Sequence, residues 1–106
     1  MVATVSVSPT SSLNVVGSNV VFNCIITGYR PPSSSLQWYK DSDLSDPLTT
    51  NQTNIVNERT TQLILTELTM EDAGKYICSL VLQRNFVLQD RANLTVGSKF
   101  FSMYFS

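Results

Sequence analysis

The sequence predicts an all-β fold, either a sandwich or a barrel, built from many short strands. Short runs of alternating apolar and polar residues recur along the 106 residues, separated by clusters of Ser, Thr, Asn, Gly and Pro. Helical periodicity is almost absent. Two cysteines, Cys24 and Cys78, each lie in such a run, on the same side as its apolar residues. A single domain with one hydrophobic core accounts for these observations.

The alternating runs define the predicted strands. Strands are expected over residues 4–8, 13–16, 20–27, 36–40, 61–66, 75–82 and 86–96. Pro9 separates the first two because proline has no amide hydrogen to donate, so we expect the chain to change sheets there. Residues 48–57 are polar and predict short edge strands, while residues 58–59 predict a hairpin turn and residues 68–74 a short helical turn.

Composition and charge exclude several classes of function. The net charge is −1, and the seven basic residues are scattered from Arg30 to Lys99, so no basic stripe is available for nucleic acid. Two cysteines without any histidine cannot supply the ligands of a structural zinc site, so we expect neither a metal nor another cofactor. No apolar run is long enough to span a membrane, so we expect membrane attachment only through a longer parent protein.

The cysteine pair is most simply used as a disulfide, which persists in oxidising compartments. A bridge closing a loop of this length stabilises a fold by on the order of 4 kcal/mol. A catalytic thiol is disfavoured because the chain has no histidine to act as its base. The hydroxyls of residues 33–35 and the carboxylate of Asp72 lack such a partner too, so we expect no enzyme activity.

Four residues around the cysteines complete a core pattern. Trp38 follows Cys24 by fourteen residues, in a third strand from which it can pack on the bridge. Tyr76 precedes Cys78 by two residues, the position of a tyrosine corner whose hydroxyl bonds back to upstream backbone. Asp72 is expected to hold the short helical turn together with a basic neighbour, and Gly74 follows it in the same motif.

These motifs together resemble the immunoglobulin superfamily over residues 1–96. Gly17 lies seven residues before Cys24, and the run Leu36-Gln37-Trp38-Tyr39-Lys40-Asp41 and the pattern Asp72-x-Gly74-x-Tyr76-x-Cys78 are similar to its intermediate set. The cysteine spacing is shorter than in antibody variable domains, and no clear second pair of edge strands follows Asp46. The resemblance implies an immunoglobulin-like sandwich in which two antiparallel sheets pack face to face with Greek-key connections. The composition changes sharply after residue 96, so residues 97–106 are expected to be a C-terminal tail: a linker, the start of a neighbouring domain or a cloning remnant.

The resemblance also implies a function. We expect a recognition or adhesion module on the extracellular side of the membrane, in a receptor tyrosine kinase ectodomain or a cell-adhesion molecule for example. The expected partner is a protein: a ligand, an adjacent immunoglobulin-like domain or a second copy in a weak homodimer. Two alternatives stay open, an intracellular structural module similar to those of giant muscle proteins and an immune-type antigen receptor domain.

Two surfaces are candidates for partner binding. The first is the end of the sandwich where the loop 28–35 and the turn 82–86 meet, because Tyr and Arg dominate interface hot spots. Its candidate residues are Tyr29, Arg30, Arg84 and Phe86.

The second surface is the outer face of the sheet that contains Trp38 and Cys78. Strand alternation predicts that Tyr39, Ile77, Ser79 and Val81 face solvent there, with Val87, Gln89 and Arg91 beside them. Tyr39, Ile77, Val81 and Val87 would then form an exposed apolar cluster that could self-associate. Glycosylation sequons begin at Asn51 and at Asn93, and alternation places Asn93 on this same face. About two sequons are expected by chance in a chain so rich in Asn, Ser and Thr.

Overall fold

Eight strands and one short helical turn form the domain, in a computed structural model that describes residues 3–49, 51–83 and 86–98. The turn is a 3₁₀ helix over Met70–Asp72. The strands are β1 (Thr4–Ser8), β2 (Ser11–Val15), β3 (Val20–Thr27), β4 (Ser35–Lys40), β5 (Thr53–Asn57), β6 (Thr60–Leu65), β7 (Gly74–Val81) and β8 (Val87–Gly97).

The strands form two four-stranded sheets, which confirms the predicted sandwich. The first sheet has the order β1-β3-β6-β5 and the second the order β2-β8-β7-β4. Every pairing is antiparallel except that of β2 with β8, which is parallel. The candidate surface predicted on a sheet face belongs to the second sheet, and the candidate surface predicted in the loops lies at one end of the sandwich.

The predicted change of sheets at Pro9 is confirmed. Before Pro9, β1 pairs with β3 in the first sheet, and after it β2 pairs with β8 in the second. The backbone N–H of Val7 donates to the carboxylate of Asp90 over 2.7 Å, which ties β1 to β8 next to the switch. One split strand therefore joins the edges of both sheets.

The core lies between the sheets and follows the alternation of the strands. In β3 every second residue is buried, from Val20 through Phe22 and Cys24 to Ile26. The largest fully buried side chains are Trp38, Phe22, Ile26, Leu63, Leu68 and Leu80. Complete burial of such side chains is worth roughly 1.5–3 kcal/mol each in transfer free energy.

The segment of the chain between β4 and β6 is less regular than the rest. Within residues 48–57 the described part of the chain has one strand, β5, where short edge strands in the plural were predicted. Its pairing with β6 shifts register between Ile55 and Asn57, and Ile55 is 80% exposed. The β7–β8 pairing, by contrast, runs from Gly74 opposite Leu94 to Val81 opposite Val87 without a shift. Alternation along the final strand therefore holds.

Candidate functional site

The disulfide between Cys24 and Cys78 is present and joins β3 of one sheet to β7 of the other. Both cysteines are fully buried, and their Cα atoms are 6.4 Å apart. Trp38 lies directly opposite Cys78 in the β4–β7 register and is 2% exposed, so it packs in the core beside the bridge. The predictions for these three residues are confirmed.

The predicted tyrosine corner is confirmed as well. The hydroxyl of Tyr76 donates to the backbone carbonyl of Asp72 over 2.5 Å. Burial, together with the negative charge of Asp72, raises the pKa of Tyr76 to about 12. The ring of Tyr76 stacks on that of Phe22 with centroids 6.4 Å apart, and the Lys40 ammonium lies 5.7 Å from the Tyr76 centroid.

Asp72 holds the short helical turn in a different way from the one expected. Its carboxylate accepts the backbone N–H of Thr69 over 2.8 Å and the Thr69 hydroxyl over 3.3 Å. No basic side chain pairs with it among the residues described, so the expected basic neighbour was wrong. Gly74, two residues on, has φ 140°, a conformation that side-chain-bearing residues rarely adopt.

The outer face of the second sheet differs from the alternation-based prediction at Ile77 and Ser79. Both were expected to face solvent, but each is only 3% exposed. In register, Ile77 lies between Tyr39 of β4 and Arg91 of β8, whose long side chains flank it on both sides. The prediction of the side was right, and that of exposure was wrong.

The predicted apolar cluster on this face is also divided. Tyr39 and Ile77 form one cross-strand row, and Val81 and Val87 form another. The row between them consists of polar residues: Gln37, Ser79 and Gln89. Val87 is 41% exposed, whereas Tyr39 and Val81 are half-buried. The exposed apolar surface of this face is therefore at the Val81–Val87 end.

The loop before β4 and the turn after β7 lie at the same end of the sandwich, because Ser35 is opposite Val81 in register. Tyr29 is 60% exposed and Phe86 is 61% exposed, while Arg30 is half-buried. Arg84, also predicted for this end, falls outside the described residues.

Sequence reasoning missed one residue at this end, Arg59. It lies in the β5–β6 turn and its guanidinium donates to the backbone carbonyl of Gly28 over 2.6 Å. The two residues are 31 positions apart in sequence. The only available signal was that the predicted hairpin turn contains a basic residue.

Neither predicted glycosylation site is buried. Asn51 lies in a turn before β5, and Asn93 lies on the outer face of the second sheet opposite Lys75. Both residues are exposed. Their use as glycosylation sites stays a prediction.

Other kinds of site have little support in the described part of the chain. Within it, no group of three or more His, Cys, Asp and Glu side chains is arranged to hold a metal ion. The helical content is one short turn, and no helix there is long and apolar enough to cross a membrane.

Comparison with known families decides the class of domain. The model of a family described as immunoglobulin domain matches residues 4–81. The chain belongs to the immunoglobulin domain family. A protein named cell adhesion molecule DSCAML1, from Gallus gallus, is 33% identical over 82 residues, which are 77% of this chain. The chain spans about 4% of the length of that relative.

Several solved structures share the fold at lower identity. The RIG-5 IG1 homodimer is 18% identical with a TM-score of 0.69, over 90% of this chain and 97% of that one. The Dscam1 Ig7 domain, isoform 5, is 16% identical with a TM-score of 0.69, over 90% and 98%. A chimeric titin Z1Z2 structure is 17% identical with a TM-score of 0.65, over 93% and 100%. Fold likeness therefore extends to RIG-5, Dscam1 and titin alike.

Proposed function

We propose that this immunoglobulin domain is an extracellular recognition module of a cell-surface adhesion protein, with a binding and not a catalytic role. The similarity to DSCAML1 supports the class of parent protein. The Cys24–Cys78 bridge supports the compartment, because disulfides persist in oxidising environments and are rare in the cytosol.

The two alternative functions have weaker support. A structural module of a giant muscle-type protein would work in a reducing compartment, where these two cysteines would be thiols. An antigen receptor domain of the variable type has an additional pair of edge strands. Between β4 and β6, the described part of this chain has the single strand β5.

We further infer that the outer face of the second sheet binds the protein partner, at its Val81–Val87 end. The observation that carries this inference is the cross-strand pair of Val81 and Val87, with Val87 41% exposed and preceded by Phe86 at 61%. Grouped exposed apolar side chains of this kind mark interaction sites. A second copy of the chain is one such partner, and a two-fold contact would bury the same residues on both copies.

A glycan on Asn93 would leave this end of the face free. Asn93 lies six residues along β8 from Val87. At about 3.3 Å per residue, the two positions are roughly 20 Å apart. Glycosylation and partner binding on the same face are therefore compatible.

Sedimentation of the unglycosylated chain can test this surface with a matched pair of substitutions. Val87→Lys places a charge on the proposed surface, and Val21→Lys places one on the outer face of the opposite sheet, at a valine that is also 41% exposed. Ile77→Lys is unsuitable because it would bury a charge at a 3% exposed position and unfold the domain.

The wild-type chain is expected to show a concentration-dependent weak dimer in analytical ultracentrifugation. Val87→Lys should weaken dimerisation at least about tenfold, since like charges would face each other across the contact. Val21→Lys should leave it unchanged. A dimer that survives Val87→Lys uses another surface, and a wild-type monomer at the highest concentration removes self-association from the proposal.

A further inference from the structure

A depression of about 500 Å³ lies at the loop end of the domain. Its lining residues are Tyr29, Arg30, Pro31, Pro32, Glu58 and Arg59. The first four come from the loop before β4 and the last two from the β5–β6 turn. Two segments far apart in sequence thus bring two arginines to one depression.

The two segments are tied by reciprocal hydrogen bonds from these arginines. Arg30, in the loop, donates to the backbone carbonyl of Glu58 in the turn over 2.5 Å. Arg59, in the turn, donates to the backbone carbonyl of Gly28 in the loop over 2.6 Å and to that of Ile26 over 3.4 Å. Arg30 is held further by Ser34, through its hydroxyl at 3.0 Å and its carbonyl at 3.4 Å. Both guanidiniums are therefore fixed before any ligand arrives.

Neither guanidinium has used all its donors. A guanidinium has five N–H donors. Arg30 makes three hydrogen bonds, which leaves two donors, and Arg59 makes two, which leaves three. No carboxylate pairs with either arginine in residues 3–49, 51–83 and 86–98. Glu58 contributes its carbonyl to Arg30, and its side chain makes no hydrogen bond there.

We propose that this depression binds a carboxylate side chain of an acidic protein segment. Arginine pairs with carboxylates through two parallel N–H bonds, and prior fixing of the guanidinium lowers the entropy lost on binding. Tyr29, 60% exposed, and the two prolines offer apolar surface for the residues that flank the carboxylate. Neither Val81 nor Val87 is among the depression's lining residues, so the proposal does not depend on self-association of the domain.

The charge distribution favours a protein segment over a sulfated polysaccharide. A polysaccharide chain is held by an extended row of cations, whereas this chain has seven basic residues and a net charge of −1. Glu58 at the rim of the site also limits the local charge to that of two arginines and one glutamate. A single anchored acidic side chain matches that balance.

Nuclear magnetic resonance of the ¹⁵N-labelled chain can test the proposal with a defined probe. The probe is the peptide acetyl-Leu-Asp-Glu-amide, and its neutral counterpart is acetyl-Leu-Asn-Gln-amide. The side-chain Nε–H signals of Arg30 and Arg59 report binding directly. We expect saturable shifts of both signals with the acidic peptide and none with the neutral one.

Three substitutions make the test specific, because those at Arg59 and the one at Glu58 should change the affinity in opposite directions. Arg59→Gln should weaken binding about tenfold because it removes a charge-assisted pair. Arg59→Lys, which keeps the charge without the planar fork, should give an intermediate affinity. Glu58→Gln should tighten binding about threefold, since it removes a repulsive charge at an exposed position where no side-chain hydrogen bond is lost.

The Glu58→Gln result keeps the test decisive even if Arg59→Gln disturbs the loop. Unchanged amide signals from the core around Phe22 and Trp38 identify variants that remain folded. Equal shifts with both peptides, or unaltered affinity in Glu58→Gln, would overturn the proposal. Stronger saturation of the same signals by a heparin-derived oligosaccharide would also overturn it and reassign the site to sulfated sugars.

Discussion

Two isoleucines on the outer faces of the two sheets differ in their exposure to solvent. Ile25 of β3 and Ile77 of β7 both lie on inner strands of four-stranded sheets, next to a cysteine of the bridge, and both point away from the core by alternation. Ile25 is 40% exposed and Ile77 is 3% exposed. The difference follows from their cross-strand neighbours: Ile25 lies between Ser6 and Thr60, whereas Ile77 lies between Tyr39 and Arg91.

This comparison shows that alternation and exposure are separate properties. The period of two determines which side of the sheet a residue occupies. The size of the directly opposed side chains, only about 5 Å away, determines whether water reaches it. The middle of the second sheet therefore has a buried isoleucine on its outer face, and the exposed apolar surface of that face lies at Val81 and Val87.

The largest difference in stability between the two positions is expected from truncating each isoleucine to alanine. Ile77→Ala should destabilise the domain by about 2–3 kcal/mol, because it removes buried methyl groups and leaves a cavity beneath Tyr39 and Arg91. Ile25→Ala should cost less than about 1 kcal/mol at its exposed position. Urea unfolding followed by Trp38 fluorescence measures both. Equal losses would mean that the flanking side chains do not shield Ile77 in solution.

A smaller loss of stability is expected from a substitution on the inward side of the same strand, β7. Tyr76→Phe removes the hydrogen bond to the Asp72 carbonyl and should cost about 1 kcal/mol at neutral pH. The outward neighbour Ile77 should keep its burial, so an Ile77→Ala truncation should cost the same in either background. A marked change in that cost would show that the two sides of β7 are coupled through the strand.

The Tyr76 hydroxyl also gives this prediction a pH dependence with a defined sign. Its pKa is about 12 in the folded domain and about 10 in an unfolded chain. The stabilisation is therefore complete below pH 10 and is lost as pH rises towards 12, by an amount on the order of 2 kcal/mol. Because this loss exceeds the contribution of about 1 kcal/mol from the hydrogen bond, the stability advantage of wild type over Tyr76→Phe should shrink and then reverse over that interval. An unchanged difference at pH 11 would contradict a buried, hydrogen-bonded hydroxyl.

Much of the fold could be predicted because its information is local. Alternation in residues 20–27 gave the bounds of β3 as the structure has them, and Pro9 located the change of sheets. The edge region was harder, since β5 is polar, short and shifted in register next to Asn57. Edge strands are bounded by one partner only, so their sequence is less constrained.

The candidate sites were less predictable because they depend on non-local pairing. The burial of Ile77 requires the register of three strands, and no local pattern around residue 77 contains it. Arg59 reaches Gly28 across 31 positions, so its place beside Arg30 appears only once the sheets are assembled. The core residues Cys24, Trp38 and Tyr76 were found because their spacing is a property of the fold itself.

The redox state of Cys24 and Cys78 in the protein expressed by cells is the most direct test of the proposed extracellular function. Cells expressing the chain within its longer parent would be lysed in N-ethylmaleimide, and the domain's peptides analysed by mass spectrometry before and after reduction. The proposed extracellular function predicts no labelled cysteine before reduction and two after it, because an extracellular module keeps its core disulfide. Two labelled cysteines without reduction would contradict it and favour an intracellular structural module.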